Sequence, residues 1–65
     1  MQGKVKWFSS IKGYGFIEIL DREGQCAFVH HSSIQDTTTL LDGQLVEFDL
    51  YESKKGLEAK NIKIC

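Results

Sequence analysis

Histidine and serine are adjacent at residues 30–33 (HHSS), where a nucleophile and a base would lie side by side. A serine nucleophile needs a histidine base that a third group orients in space, and neighbouring residues rarely supply that geometry. Asp36 and Asp42 lie in or near the loop that follows, and they give no specific support for such a site. We therefore expect no enzymatic activity and interpret HHSS as the polar end of a strand.

Metal binding is the second chemistry that these residue types suggest. The potential zinc ligands are Cys26, His30, His31 and Cys65. On a strand, Cys26 and His30 share a face but stand about 13 Å apart at ~3.3 Å per residue. A single zinc ion, with bonds about 2 Å long, cannot bridge that distance. We expect no metal and no cofactor, and we interpret the cysteines as reduced thiols, because no secretory pattern precedes them.

The segment KGYGFI, residues 12–17, places two aromatic rings in a glycine-rich backbone. Glycine in a strand often marks the close approach of another backbone or of a ligand. Aromatic rings stack on nucleobases, and nearby basic side chains contact phosphates. Residues 1–17 contain three lysines and no acid, whereas residues 18–53 contain eight acids and one arginine. The net charge of −1 therefore hides a local basic patch, which suits phosphate contact but predicts weak salt dependence.

Short β-rich runs separated by Gly, Asp and Ser are the elements that must position these residues. They span residues 4–9, 14–20, 26–31, 44–51 and 57–64. Closing five strands into a barrel removes the unpaired edges that invite aggregation. The sequence therefore predicts an all-β fold, a five-stranded antiparallel OB-type barrel, as a single domain over residues 1–65. A helical turn with a serine cap is expected at residues 32–36.

Alternation of side chains divides the second and third predicted strands into two faces. One face is aliphatic and is expected to form the barrel interior. It consists of Ile17, Ile19, Ala27 and Val29. The opposite faces carry Tyr14, Phe16, Phe28 and His30. An exposed aromatic surface of this kind is uncommon unless something docks on it. In the first strand, alternation puts Lys4, Lys6 and Phe8 on one face and Val5 and Trp7 on the other. Trp7 is then either part of the core or turned outward by a bend.

Four segments in register resemble the bacterial cold-shock proteins. They are GKVKWF (3–8), KGYGFI (12–17), FVHHSSI (28–34) and DGQLVEF (42–48). KGYGFI and AFVHH (27–31) resemble the two RNA-binding motifs of that family. The resemblance implies an OB-type barrel that binds single-stranded RNA and DNA with little sequence preference and acts as an RNA chaperone in the cytoplasm, in the stress response. Carried over position by position, it implies a nucleic-acid-binding site of Lys6, Trp7, Phe8, Lys12, Tyr14, Phe16, Phe28, His30 and His31, with Trp7 facing the ligand.

The sequence also departs from the family pattern. The family usually has asparagine at the position of Ser9, aspartate at that of Cys26 and phenylalanine at that of His31. The loop at residues 35–39 is about two residues short and lacks the family's Gly-Phe pair. Ile11 replaces a polar residue and Leu57 replaces a common proline. These departures imply weaker affinity or a shorter footprint than is usual in the family.

The mode of action has one open alternative: the aromatic patch docks a protein partner or a second copy of the chain. We expect a monomer, with a domain-swapped dimer as the other possibility. No apolar run approaches the ~20 residues that span a bilayer, so no membrane association is expected. No N-terminal signal pattern is visible either, which favours the cytoplasm.

Overall fold

Five strands close into a barrel in the computed structural model, which describes residues 1–35 and 40–65. The strands are β1 (Gln2–Ser9), β2 (Tyr14–Ile19), β3 (Cys26–His30), β4 (Leu45–Ser53) and β5 (Gly56–Ile64). They are arranged around the barrel in the order β1-β2-β3-β5-β4. The predicted five-stranded all-β barrel is confirmed. Within the described residues, no helix is long and apolar enough to cross a membrane.

One strand pairing departs from the expected antiparallel arrangement. β3 pairs with β5 in parallel, with Phe28 opposite Glu58, whereas the other pairings between the described strands are antiparallel. The reason is topological. An odd number of strands in a closed ring cannot alternate in direction at every step, so at least one pair must be parallel. The sheet is therefore mixed rather than fully antiparallel.

The barrel interior is aliphatic, as the alternation in β2 and β3 predicted. Ile17, Ala27 and Val29 are each 0% exposed. Phe48 on β4 fills the interior with them and is 2% exposed. Gly3 makes room for this packing, because a Cβ atom there would lie 2.7 Å from the Phe48 ring. A chain of this size buries a limited fraction of its surface, so each interior contact weighs heavily in its stability.

A bulge in β1 decides the orientation of Trp7. Val5 pairs with Ile17, but the next pair along the strands is Trp7 with Phe16, which leaves Lys6 as an extra residue. An extra residue in one strand reverses the alternation that follows it. Val5 therefore points inward at 2% exposure, while Trp7 turns outward at 37%.

A single 3₁₀ turn, His31–Ser33, follows β3 directly. The prediction of a helical turn at 32–36 with a serine cap was wrong in both start and cap. The residue that caps the turn is His30, whose Nδ1 accepts a hydrogen bond from the Ser32 N–H at 3.3 Å. An extended residue with a side-chain acceptor satisfies a free N–H at the start of such a turn. Residues 36–39, and with them most of the shortened loop, lie outside the described residues.

Candidate nucleic-acid interface

Four aromatic rings on the outer face of β1, β2 and β3 form a closed group, which we call the ring cluster. Its members are Trp7, Tyr14, Phe16 and Phe28. Trp7 lies 5.7 Å from Tyr14 and 5.5 Å from Phe16, measured between ring centroids. Phe28 lies 5.8 Å from each of the same two rings, stacked on Tyr14 and edge-on to Phe16. Each ring thus touches two others, at separations typical of favourable aromatic pairs.

The strand register produces this arrangement. Trp7 pairs with Phe16, and Phe16 pairs with Phe28, so three rings stand in one row across three strands. Tyr14 pairs with His30 in the next row. Directly opposed residues on one face have Cβ atoms about 4.5–5.5 Å apart, which brings their side chains into contact. The orientation of the rings therefore follows from the backbone pairing.

The ring cluster rests on the aliphatic core and remains open to solvent. Tyr14, Phe16 and Phe28 are each half-buried, in contrast to the fully buried interior residues next to them in sequence. A half-buried ring has one part held by the protein and another part available for contact. The expectation that these side chains face outward agrees with their positions.

Gly15 explains why glycine alternates with aromatic residues in this segment. A Cβ atom at Gly15 would overlap the carbonyl oxygen of Trp7 and lie 2.6 Å from the Cα atom of Phe8. The missing side chain lets β1 and β2 approach closely below the rings. Gly13 has a φ of 77° and leaves space for the ring of His31, which a Cβ atom there would meet at 2.7 Å.

The two histidines extend the aromatic surface beyond Tyr14. Their ring centroids are 4.3 Å apart with planes tilted by 37°. His30 Nδ1 lies 2.8 Å from the Ser32 hydroxyl, and the His31 N–H donates to the Gly13 carbonyl at 2.9 Å. Both imidazoles are exposed. The pairing of Tyr14 with His30 places the first of the two imidazoles next to the ring cluster.

Phe8 stands apart from the other predicted rings. It is half-buried, pairs with Gly15 and packs against the core. None of the ring contacts among the described residues involves it. Adjacent residues on a strand point to opposite faces, so a Trp7 that faces outward leaves Phe8 facing inward.

The predicted basic residues flank the ring cluster. Lys6 is the extra residue of the β1 bulge, and Lys12 lies in the loop between β1 and β2; both are exposed. The Lys12 backbone N–H donates to the Ser9 hydroxyl at 3.2 Å, which fixes this loop. Within residues 1–35 and 40–65, the one ion pair joins Arg22 and Glu52, so neither ammonium group is occupied.

A groove of about 650 Å³ continues the surface beyond Phe28, toward the turn between β4 and β5. Its lining includes Phe16, Cys26 and Phe28, together with Lys55 from the β4–β5 turn and Glu58 from β5. Neither Lys55 nor Glu58 is among the site residues predicted from the sequence. The parallel pairing of β3 with β5 brings them there, and local sequence patterns carry no signal of that pairing.

Comparison with known proteins identifies the family. The model of the 'Cold-shock' DNA-binding domain matches residues 1–65. A cold shock-like protein of Thermotoga maritima is 52% identical, with 98% of this chain and 97% of that protein covered. Cold shock-like protein CspC of Bacillus cereus is 48% identical, with 95% of each chain covered.

A solved structure extends the similarity to the fold. Drosophila Unr CSD456 has a TM-score of 0.78 and 28% identity over 98% of this chain, which corresponds to 26% of that longer chain. The family match spans every strand that carries the ring cluster. The chain belongs to the cold-shock domain family of nucleic-acid-binding proteins.

Proposed function

We propose that this protein binds single-stranded RNA and DNA by stacking unpaired bases on its ring cluster. The observation that supports the proposal is the closed contact of four half-exposed rings beside lysines that form no ion pair with any described residue. Stacking on aromatic side chains contributes about 1–3 kcal/mol per base. The proposed site consists of Lys6, Trp7, Phe8, Lys12, Tyr14, Phe16, Phe28, His30 and His31, with Phe8 acting at the margin of the surface, from its half-buried position.

Low sequence specificity follows from the chemistry of the surface. Every base has an aromatic face, so stacking tolerates any sequence. Sequence is read through hydrogen bonds to base edges, and the ring cluster itself contains few polar groups. The net charge of −1 limits long-range attraction to the phosphate backbone. We therefore expect affinity to depend more on the rings than on ionic strength.

The same binding mode supports an RNA chaperone activity without catalysis. Bases inside a duplex are already stacked and paired, so the ring cluster favours the unpaired strand. A protein that binds only the open form shifts the equilibrium of a hairpin toward that form by mass action. In this way, transcripts remain unfolded, which affects transcription or translation. The acting unit that we propose is a monomer in the cytoplasm, as the role of the family implies.

Trp7 is the only tryptophan of the chain and provides the readout for the test. Titration with oligo-dT is expected to quench its fluorescence to saturation, because bases stack on or beside the indole. A blunt DNA duplex of the same length serves as the control and should give little quenching. A signal that responds only to protein concentration, and not to the oligonucleotide, would replace this function with self-association or protein docking.

A further inference from the structure

Glu58 occupies an unexpected place for an acid, because in the strand register it lies between two aromatic residues, Phe28 on β3 and Tyr51 on β4. It pairs with Phe28 across the parallel β3–β5 contact, so the row Trp7–Phe16–Phe28 continues directly into it. The next residue along β5, Ala59, is fully buried, which places Glu58 on the outer face with the rings. A carboxylate repels phosphates, so its position on a nucleic-acid surface calls for a role other than backbone contact.

The Glu58 carboxylate has free hydrogen-bonding capacity. Within the described part of the chain, no ion pair or side-chain hydrogen bond uses it. The side chain is half-buried and lines the groove of about 650 Å³ together with Phe28. This volume is sufficient for a nucleobase that stacks on Phe28 and turns one edge toward Glu58.

Lys55 lies in the same groove and supplies the opposite charge. It sits in the turn between β4 and β5, where its backbone N–H donates to the Ser53 hydroxyl at 3.3 Å. An ammonium group in the groove partly offsets the negative charge of the acid and attracts the phosphate of a nucleotide that binds there. The groove thus holds a ring for stacking, a cation for the phosphate and an acceptor for the base edge.

The acceptor determines which base fits. A carboxylate accepts hydrogen bonds and donates none. Cytosine presents an exocyclic amino group at the position where uracil and thymine present a carbonyl oxygen, and acidic side chains accept from that amino group. We infer that Glu58 selects a base with an exocyclic amino group, cytosine over uracil or thymine, at the one nucleotide that stacks on Phe28. This inference rests on the proposed function and adds a single selective position to an otherwise tolerant surface.

The test uses the full chain and a set of heptanucleotides in which one cytosine is moved through oligo-dT. At one position, cytosine should improve binding by about fivefold, the lower end of the discrimination that such contacts give. At that position, 2-pyrimidinone, a cytosine analogue without the amino group, should bind no better than thymine. The variant Glu58→Gln should lose the preference, since an amide offers both a donor and an acceptor.

Glu47→Gln is the matched control. Glu47 is an exposed acid on β4 that lies beside Lys63 in a separate groove, so this change removes the same charge and should leave the preference intact. Three outcomes would overturn the inference and leave the proposed function standing. They are equal binding of all the heptanucleotides, a preference for thymine, and a cytosine preference that survives in Glu58→Gln. Failure of every oligonucleotide to bind would overturn the proposed function, and the inference with it.

Discussion

Phe16 and Phe28 face each other directly across β2 and β3, with ring centroids 5.8 Å apart and planes at 75°. Each ring supports the edge of the other, and neither enters the barrel interior. The residues that follow them, Ile17 and Val29, point the opposite way and are 0% exposed. Two adjacent residues on each strand therefore serve different purposes, one packing the core and one presenting a binding surface.

Phe28→Ala should weaken the binding of a single-stranded heptanucleotide more than it weakens the fold. Loss of one stacking ring corresponds to about 1–3 kcal/mol of binding free energy. The ring is half-buried on the outer face, so its removal leaves no closed cavity. Fluorescence titration gives the affinity, and urea denaturation gives the free energy of unfolding.

Phe48→Ala is the control for the Phe28 experiment. Phe48 is 2% exposed inside the barrel, and truncation of a buried phenylalanine costs about 3–5 kcal/mol of stability. In a domain this small, such a loss should largely unfold the protein. If Phe28→Ala bound the heptanucleotide as tightly as the parent, the assignment of the ring cluster as the binding surface would be wrong.

Gly15→Ala should destabilise the pairing of β1 with β2. The added methyl group would overlap the Trp7 carbonyl oxygen and lie 2.6 Å from the Phe8 Cα atom, both of them backbone atoms that cannot move aside independently. Overpacking of this kind typically costs 1–3 kcal/mol, and we expect about 3 kcal/mol here. Thermal unfolding followed by circular dichroism measures the effect.

Gly24→Ala separates steric overlap from backbone conformation. Gly24 has a φ of 81° but nothing within 4 Å of an added Cβ atom. Its substitution carries the penalty of a left-handed conformation alone, about 1 kcal/mol. A Gly24 variant less stable than the Gly15 variant would contradict the close approach of β1 to β2 described above.

Lys12→Gln should reduce affinity about equally for all single-stranded sequences and lower the slope of log affinity against log salt by roughly one. Its ammonium group lies in the exposed β1–β2 loop and forms no ion pair with the described residues. Lys63→Gln on β5 is the control. Lys63 lies opposite Glu47 in the strand register and lines a groove separate from the one that Phe28 lines. An equal change in the two salt slopes would show that Lys12 makes no specific phosphate contact.

The sequence predicted the two faces of β2 and β3 because those strands pair without interruption, so simple alternation holds along them. It left Trp7 undecided, since one extra residue at Lys6 reverses the alternation and no local pattern marks that bulge. The family resemblance, in contrast, placed Trp7 toward the ligand. For Phe8, simple alternation gave the wrong face. It placed Phe8 with the exposed lysines, whereas the bulge at Lys6 turns the Phe8 ring toward the core.

The part of the surface that sequence reasoning missed depends on contacts distant in the chain. Glu58 meets Phe28 only because the ring of strands closes through a parallel pair. Nothing in the local sequence around either residue predicts this contact. The two lysines at residues 54–55 are also typical of an ordinary hairpin turn without a binding role. Short-range patterns define strands and faces, whereas the composition of a groove between β3 and the β4–β5 turn requires the closed barrel.

Opening of an RNA hairpin labelled with a fluorophore and a quencher at its two ends tests the central claim most directly. Without ATP, the parent protein should raise the fluorescence to a plateau. A folded Phe16→Ala/Phe28→Ala double variant should require at least about tenfold more protein for the same opening, because two stacking rings are lost. A hairpin that stays closed at saturating parent protein, or one that the folded double variant opens equally well, would contradict the assignment of the ring cluster as the surface that holds unpaired nucleotides.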